Sequence, residues 1–170
     1  MKIWVSSLFD ARTVATRVKP ARAVSLLSPG DDFPALPGLL NGRHHCVRLH
    51  DITEEIDGHI SPSRDHVRGV IRFLGDHDPD DPLLIHCWAG ISRSTATAFV
   101  AACLYNPQSD EAAIAAALRS ASPTAFPNAR IVAFADDILG RNGRMSAGVM
   151  TMGRGDLAEL ASPFSIPARF

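Results

Sequence analysis

The sequence predicts an α/β domain in which a central, mostly parallel sheet is flanked by helices on both faces. Three features lead there. Short apolar runs alternate with helix-period segments through the first half of the chain. The run Leu83-Leu84-Ile85 after Pro82 has no polar alternation, which is the pattern of a strand buried on both faces. A series of helical segments follows it, and such an order layers helices over a sheet.

In chain order, Ile3 to Leu8 reads as the first strand. Asp10 caps a short helix with Val14 and Val18 on one face, and Pro20 ends it. Ala23 to Leu27 is a second strand, stopped by Ser28-Pro29-Gly30. Asp31 to Gly42 carries Pro34, Pro37, Gly38 and Gly42 and reads as loop. Cys46 to His50 is a third strand, interrupted by the polar Arg48. Asp51 to Ile60 is acidic and turn-rich. Ser61-Pro62 supplies a cap and a first helical residue for a helix with Val67, Val70, Ile71 and Leu74 on one face and Gly75 at its end.

After the Leu83 strand, an Ala-rich helix runs from Ser92 to Tyr105 and Asn106-Pro107 breaks it. Ser109 caps the next helix, with Asp110 and Glu111 in its first turn and Arg119 in its last. Ser122-Pro123 breaks the chain again. Asn128 caps a further helix, with Ile131, Ala135 and Ile138 on one face and Gly140 after it. These elements place the domain at residues 1–141. Residues 142–170 are rich in Gly and Met, with Pro163 and Pro167 near their end, and Asp156 to Leu160 is long enough for one helical turn. They read as a flexible tail, or as a segment packed over the domain or over a neighbouring subunit.

The chemistry concentrates in Leu83-Leu84-Ile85-His86-Cys87-Trp88-Ala89-Gly90-Ile91-Ser92-Arg93-Ser94. Strand, tight loop and helix N-terminus bind anions, because successive backbone N–H groups converge there and the helix dipole favours negative charge. Cys87 opens the loop and Arg93 closes it. The Cys87 thiolate is the nucleophile such a loop would carry, favoured by the helix N–H groups and Arg93. The planar Arg93 fork suits two oxygens of a phosphoryl group. Gly90 permits the sharp turn, Ser94 is placed to donate to the sulfur, and His86 to fix the loop from behind. A core cysteine at a strand end is the bland alternative for Cys87, but it does not call for the Gly and Arg beside it.

His86-Cys87, five residues, then Arg93-Ser94 resembles the signature of the cysteine-dependent protein tyrosine and dual-specificity phosphatases. Ala89 to Ser94 is especially similar to the dual-specificity form. The resemblance implies a phosphatase-like fold and hydrolysis of phosphomonoesters, phosphotyrosine foremost and phosphoserine or phosphothreonine with it, through a phosphocysteine. It implies phosphate binding by the loop residues Trp88, Ala89, Gly90, Ile91, Ser92 and Arg93, and no metal or organic cofactor. It also implies a general acid on a loop upstream of the helix that precedes the cysteine strand. Pro127-Asn128 resembles a family pair whose Asn braces the phosphate loop, although a plain helix cap explains Asn128 equally well. By analogy with some relatives, Cys46 is a candidate disulfide partner for Cys87.

For the acid, Asp51 is the first choice, because it follows a strand and emerges at the same sheet edge as Cys87. Asp57 is the alternative, with a turn at Asp57-Gly58 as its plainer explanation. Glu54, Glu55 and Asp65 are more distant candidates. His44, His45 and His50 cluster without a standard metal-ligand spacing. Trp88 and Ile91 either line a pocket for an aryl phosphate or pack the loop onto the domain.

A formal net charge of −1 offers no basic excess for nucleic acid or an acidic membrane surface. The apolar stretch Ala96 to Tyr105 is shorter than the roughly 20 residues of a membrane span. Three cysteines do not make a disulfide framework, and Met1 to Trp4 runs into a strand without a signal-peptide layout. A cytoplasmic monomer acting on a phosphorylated protein or a small phosphate ester is the expectation. Phosphoinositide or RNA 5′-phosphate hydrolysis, non-catalytic phosphate binding and rhodanese-like sulfur transfer are its rivals. Residues 88–92 hold no basic side chain, which speaks against polyanionic substrates.

Overall fold

A computed structural model describes residues 1–170. The strands are β1 (Lys2–Ser6), β2 (Arg22–Leu27), β3 (His44–Arg48), β4 (Leu83–Cys87) and β5 (Phe164–Pro167). The helices are α1 (Leu8–Val18), α2 (Arg64–Gly75), α3 (Arg93–Tyr105), α4 (Glu111–Ala121), α5 (Ala129–Ile138) and α6 (Arg144–Thr151). One sheet runs in the order β3-β2-β4-β1-β5. Its first four strands are parallel and β5 is antiparallel to β1. No helix is long and apolar enough to cross a membrane.

β4 lies between β2 and β1 and is buried along its whole length, as its unbroken apolar run requires. Its residues alternate between two unequal layers. Leu83, Ile85 and Cys87 join Val24, Leu26 and Ile3 in the larger core, beneath α2 to α6, where Phe99 and Leu118 are fully buried. Leu84 and Ala23 face α1 through Ala11, Val14 and Ala15.

Several boundaries shift for local reasons. α1 is capped by Ser7 rather than Asp10; the Ser7 hydroxyl accepts the Asp10 amide at 3.2 Å and donates to the Asp10 carboxylate at 2.8 Å. α2 is capped by Ser63 rather than Ser61. The Ser63 hydroxyl accepts the His66 amide, and His66 Nδ1 accepts the Ser63 amide, so a histidine fills the place of the usual Glu in a capping box. Asp110, not Ser109, caps α4. β3 begins at His44, two residues early.

Of the readings open for residues 142–170, packing over the rest of the chain is the one observed. At the junction, Arg141 is buried and pairs with the buried Glu111 at 2.9 Å. α6 has no local cap. Instead Asp136 on α5 accepts the Gly143 amide at 2.7 Å and the Ser146 amide at 2.8 Å. Met145 is then fully buried against the main core. β5 completes the sheet with Phe164 and Ile166 turned inward. Its Pro167 is tolerable because β5 is an edge strand. Asp156 to Leu160 forms no helical turn.

Candidate active site

Cys87 ends β4 at the carboxyl edge of the parallel strands, where ligand sites gather. The chain turns through residues 88–92 and enters α3. Gly90 sits at φ +76°, and a Cβ there would lie 2.9 Å from the backbone of Ser6 and Ser7. Only glycine fits both the angle and the approach. The loop is braced from four sides. Trp88 O accepts the Leu8 amide, Ala89 O the Ala161 amide, Ile91 O the Phe126 amide and Ser92 O the Asn128 amide. Trp88 is partly exposed and meets Phe9 edge-on, with ring centroids 5.4 Å apart.

Cys87 Sγ accepts the Gly90 amide at 3.3 Å and lies 3.1 Å from Ser94 Oγ. Ser92 holds the cap position of α3 but makes no side-chain cap, so the first-turn amides keep their donors for an anion. Its hydroxyl donates instead to Asp51 Oδ1 at 2.7 Å. Arg93 is 4% exposed. One of its nitrogens, Nη1, donates to Leu49 O at 2.9 Å and Ser28 Oγ at 3.1 Å. Its Nε is buried without a hydrogen-bond partner and lies 3.8 Å from Asp51 Oδ2.

Asn128 caps α5 with Oδ1, accepting the Arg130 and Ile131 amides, while its Nδ2 donates to Asp51 Oδ1 at 2.9 Å. The side chain thus caps α5 and holds Asp51, whereas the loop after Cys87 is met by the Asn128 backbone amide, at Ser92 O. Asp57 makes no side-chain hydrogen bond or ion pair with the loop; it forms an exposed turn with Gly58 at φ +76°. The structure therefore brings together Cys87, residues 88–92, Arg93, Ser94, Asp51 and Asn128, and leaves Asp57 outside.

Behind the loop, His86 is completely buried, with Nε2 2.5 Å from Ser25 Oγ; the same hydroxyl lies 2.6 Å from His44 Nε2. Burial pushes the His86 imidazole down to about 4, so it is neutral at pH 7. The unfolded chain takes up this proton near 6.5 and the folded chain does not. Stability contributed by neutral His86 is therefore complete above about 6.5 and is lost as pH falls towards 4. The full drop is about 3 kcal/mol. Denaturant titrations between pH 7 and 4 should show a shallower decline for His86→Asn than for the unsubstituted chain; parallel curves would reject the assignment.

The other histidines diverge. His45 stacks on Phe73, and His50 accepts the Ile60 amide through Nδ1. All three cysteines are free, Cys46 being exposed on β3 and Cys103 buried, so the Cys46–Cys87 disulfide is not formed. The reading of residues alone missed Ser28 and the Leu49 carbonyl, which hold Arg93. A signal existed, since Ser28 and Leu49 directly follow β2 and β3 at the edge where Cys87 lies. Ser25, His44 and Ala161 carried no comparable signal.

Among solved structures, the fold is shared with DUSP15 at a TM-score of 0.59 and 18% identity, over 88% of this chain and 90% of that one. Human DUSP28 superposes at 0.61 and 18% identity, over 82% and 89% of the two chains. Cydia pomonella PTP-2 phosphatase gives 0.57 and 20%, over 79% and 84%. No family model and no curated protein sequence matches the chain. The fold is thus that of the dual-specificity phosphatases.

Proposed function

We propose that the protein hydrolyses phosphomonoesters through a phosphocysteine on Cys87, with phosphotyrosine and similar aryl phosphates as its substrates. One convergence carries the reading. Cys87 Sγ, the unpartnered Nε of buried Arg93 and the Asp51 carboxylate meet at the uncapped N-terminus of α3. The Cys87 thiolate attacks phosphorus in line with the ester oxygen. The S–P bond forms as the P–O bond breaks, and the amides of the loop with Arg93 hold the equatorial oxygens. Asp51 gives its proton to the departing oxygen. A water then attacks phosphorus and passes a proton back to Asp51, breaking the S–P bond and releasing phosphate.

Asp51 is suited to that exchange because its two oxygens differ. Oδ1 is anchored by Ser92 and Asn128, while Oδ2 has no hydrogen bond and faces Arg93. Ser94 is placed to donate to the sulfur. The rim supports aryl phosphates as the substrate class: Trp88 and Phe126 are half exposed there, and no basic side chain lies within residues 88–92. Asp51, Glu54 and Ile56 line the adjoining cleft, whose acidity disfavours polyanions.

The test exploits the leaving group. Asp51→Asn should lower kcat for phenyl phosphate by about 10²- to 10⁴-fold, the usual worth of general acid catalysis. It should affect an activated aryl ester far less, because that phenolate departs without a proton. Asp57→Asn should show neither effect. The reverse pattern would move the acid to Asp57, and equal losses on both esters for Asp51→Asn would remove Asp51 from the acid role.

A further inference from the structure

Asp51 begins a loop whose residues are almost all exposed. Its neck is closed by two hydrogen bonds: Ile60 O accepts the His50 amide at 2.7 Å, and His50 Nδ1 accepts the Ile60 amide at 2.9 Å. Within the loop, the His59 amide to Ile56 O is the single backbone bond. A segment with so few internal bonds takes its position from what grips it from outside.

Asn128 grips its first residues, at Asp51 and the Ile52 carbonyl. The second grip is Arg130, at the start of α5. Its Nε donates to Pro62 O at 2.7 Å, Nη1 to Thr53 O at 3.4 Å and Nη2 to Glu55 Oε1 at 2.9 Å. The guanidinium also lies over the Phe134 ring, 5.3 Å from its centroid. One planar group therefore spans both ends of the loop, from Thr53 to Pro62, and ties them to the helix whose cap holds Asp51. No other side chain reaches the Thr53 or Pro62 carbonyl.

We infer that Arg130 is a positioning residue for the reaction: it holds the 51–62 loop so that Asp51 Oδ2 stands over the phosphate loop. This rests on the assignment of Asp51 as the acid. Arg130 touches neither substrate nor sulfur, and it acts by limiting how far the Asp51 carboxylate can drift. The backbone contacts matter most. The Glu55 side chain is 82% exposed, and an exposed ion pair contributes little.

The experiment pairs hydrogen exchange with leaving-group kinetics in Arg130→Met, Arg130→Lys and Glu55→Gln. Arg130→Met keeps an apolar stem against Phe134 and removes every donor. Exchange should quicken at the bonded amides of His50, His59 and Ile60 and stay as before in β4 and α3. The kcat for phenyl phosphate should fall by about 10- to 10²-fold, the scale of a misplaced catalytic group, with the activated ester and its KM little changed. Arg130→Lys should restore only part of the loss, because one ammonium cannot replace a fork. Glu55→Gln should behave as the unsubstituted chain. Unchanged exchange at those three amides, or equal losses on both esters, would overturn the inference. If Arg130→Met fails to fold, the same two readings on Arg130→Lys decide it. Quickened exchange with no leaving-group effect, in Asp51→Asn as well, would overturn the acid assignment and with it the catalytic role of Arg130, while leaving the physical clamp in place.

Discussion

Cys87→Ser should abolish turnover of every phosphomonoester, whatever its leaving group, by roughly 10⁴- to 10⁶-fold, the scale of losing an enzymic nucleophile or its partner. No general base stands beside Sγ to activate a hydroxyl in its place; its neighbours are the Gly90 amide, a donor, and the Ser94 hydroxyl. The anion cradle should survive, because it is built from loop amides and Arg93, which the substitution does not touch. The measurement is steady-state hydrolysis of an aryl phosphate beside equilibrium binding of inorganic phosphate or vanadate. Substantial activity in Cys87→Ser would reject the phosphocysteine. Loss of binding along with activity would mean that the sulfur is needed to shape the loop.

Arg93→Lys should be nearly as damaging as Arg93→Ala, with kcat/KM lowered by about 10²- to 10³-fold, the cost of removing a donor from a charge-stabilising site. The guanidinium divides its labour. Nη1 is committed to Leu49 O and Ser28 Oγ, which fixes the plane of the fork, and Nε has no hydrogen-bond partner, which leaves it for an oxygen of the proposed substrate. A lysine has one nitrogen for both tasks, so it either abandons the Leu49 carbonyl or fails to reach the phosphoryl group. Ser28→Ala should give a milder version of the same defect, since Leu49 O still orients the fork. Wild-type kinetics in Arg93→Lys would show that Arg93 is not on the phosphoryl group.

The loop from Cys87 to Arg93 was legible in the residues because its requirements are local. A buried strand, a glycine at positive φ and an arginine opening a helix are all close neighbours in sequence. The place of Asp51 beside that loop was legible one step further out, because parallel strands all end at one edge of the sheet. What escaped notice was held by distant partners. α6 has its cap on α5, in Asp136, so its own sequence offers no start signal. β5 is four residues long, with a proline just before it and another at its end, and it becomes a strand only because β1 offers an unpaired edge. The Arg130 grip joins carbonyls, which leave no trace in residue identity.

The strand order has a consequence for how the molecule forms. β1 is made before the other strands of its sheet, yet its neighbours β4 and β5 come only at Leu83–Cys87 and Phe164–Pro167. Until then both of its hydrogen-bonding edges are open, a condition that invites mispairing. The loop around Cys87 depends on the same delay, because Ala89 O is held by the amide of Ala161. Contacts so far apart in the chain close slowly. Competence for chemistry should therefore wait for residue 161: chains halted before it should carry the whole signature and remain silent, with β1 as a client for chaperones in the interval.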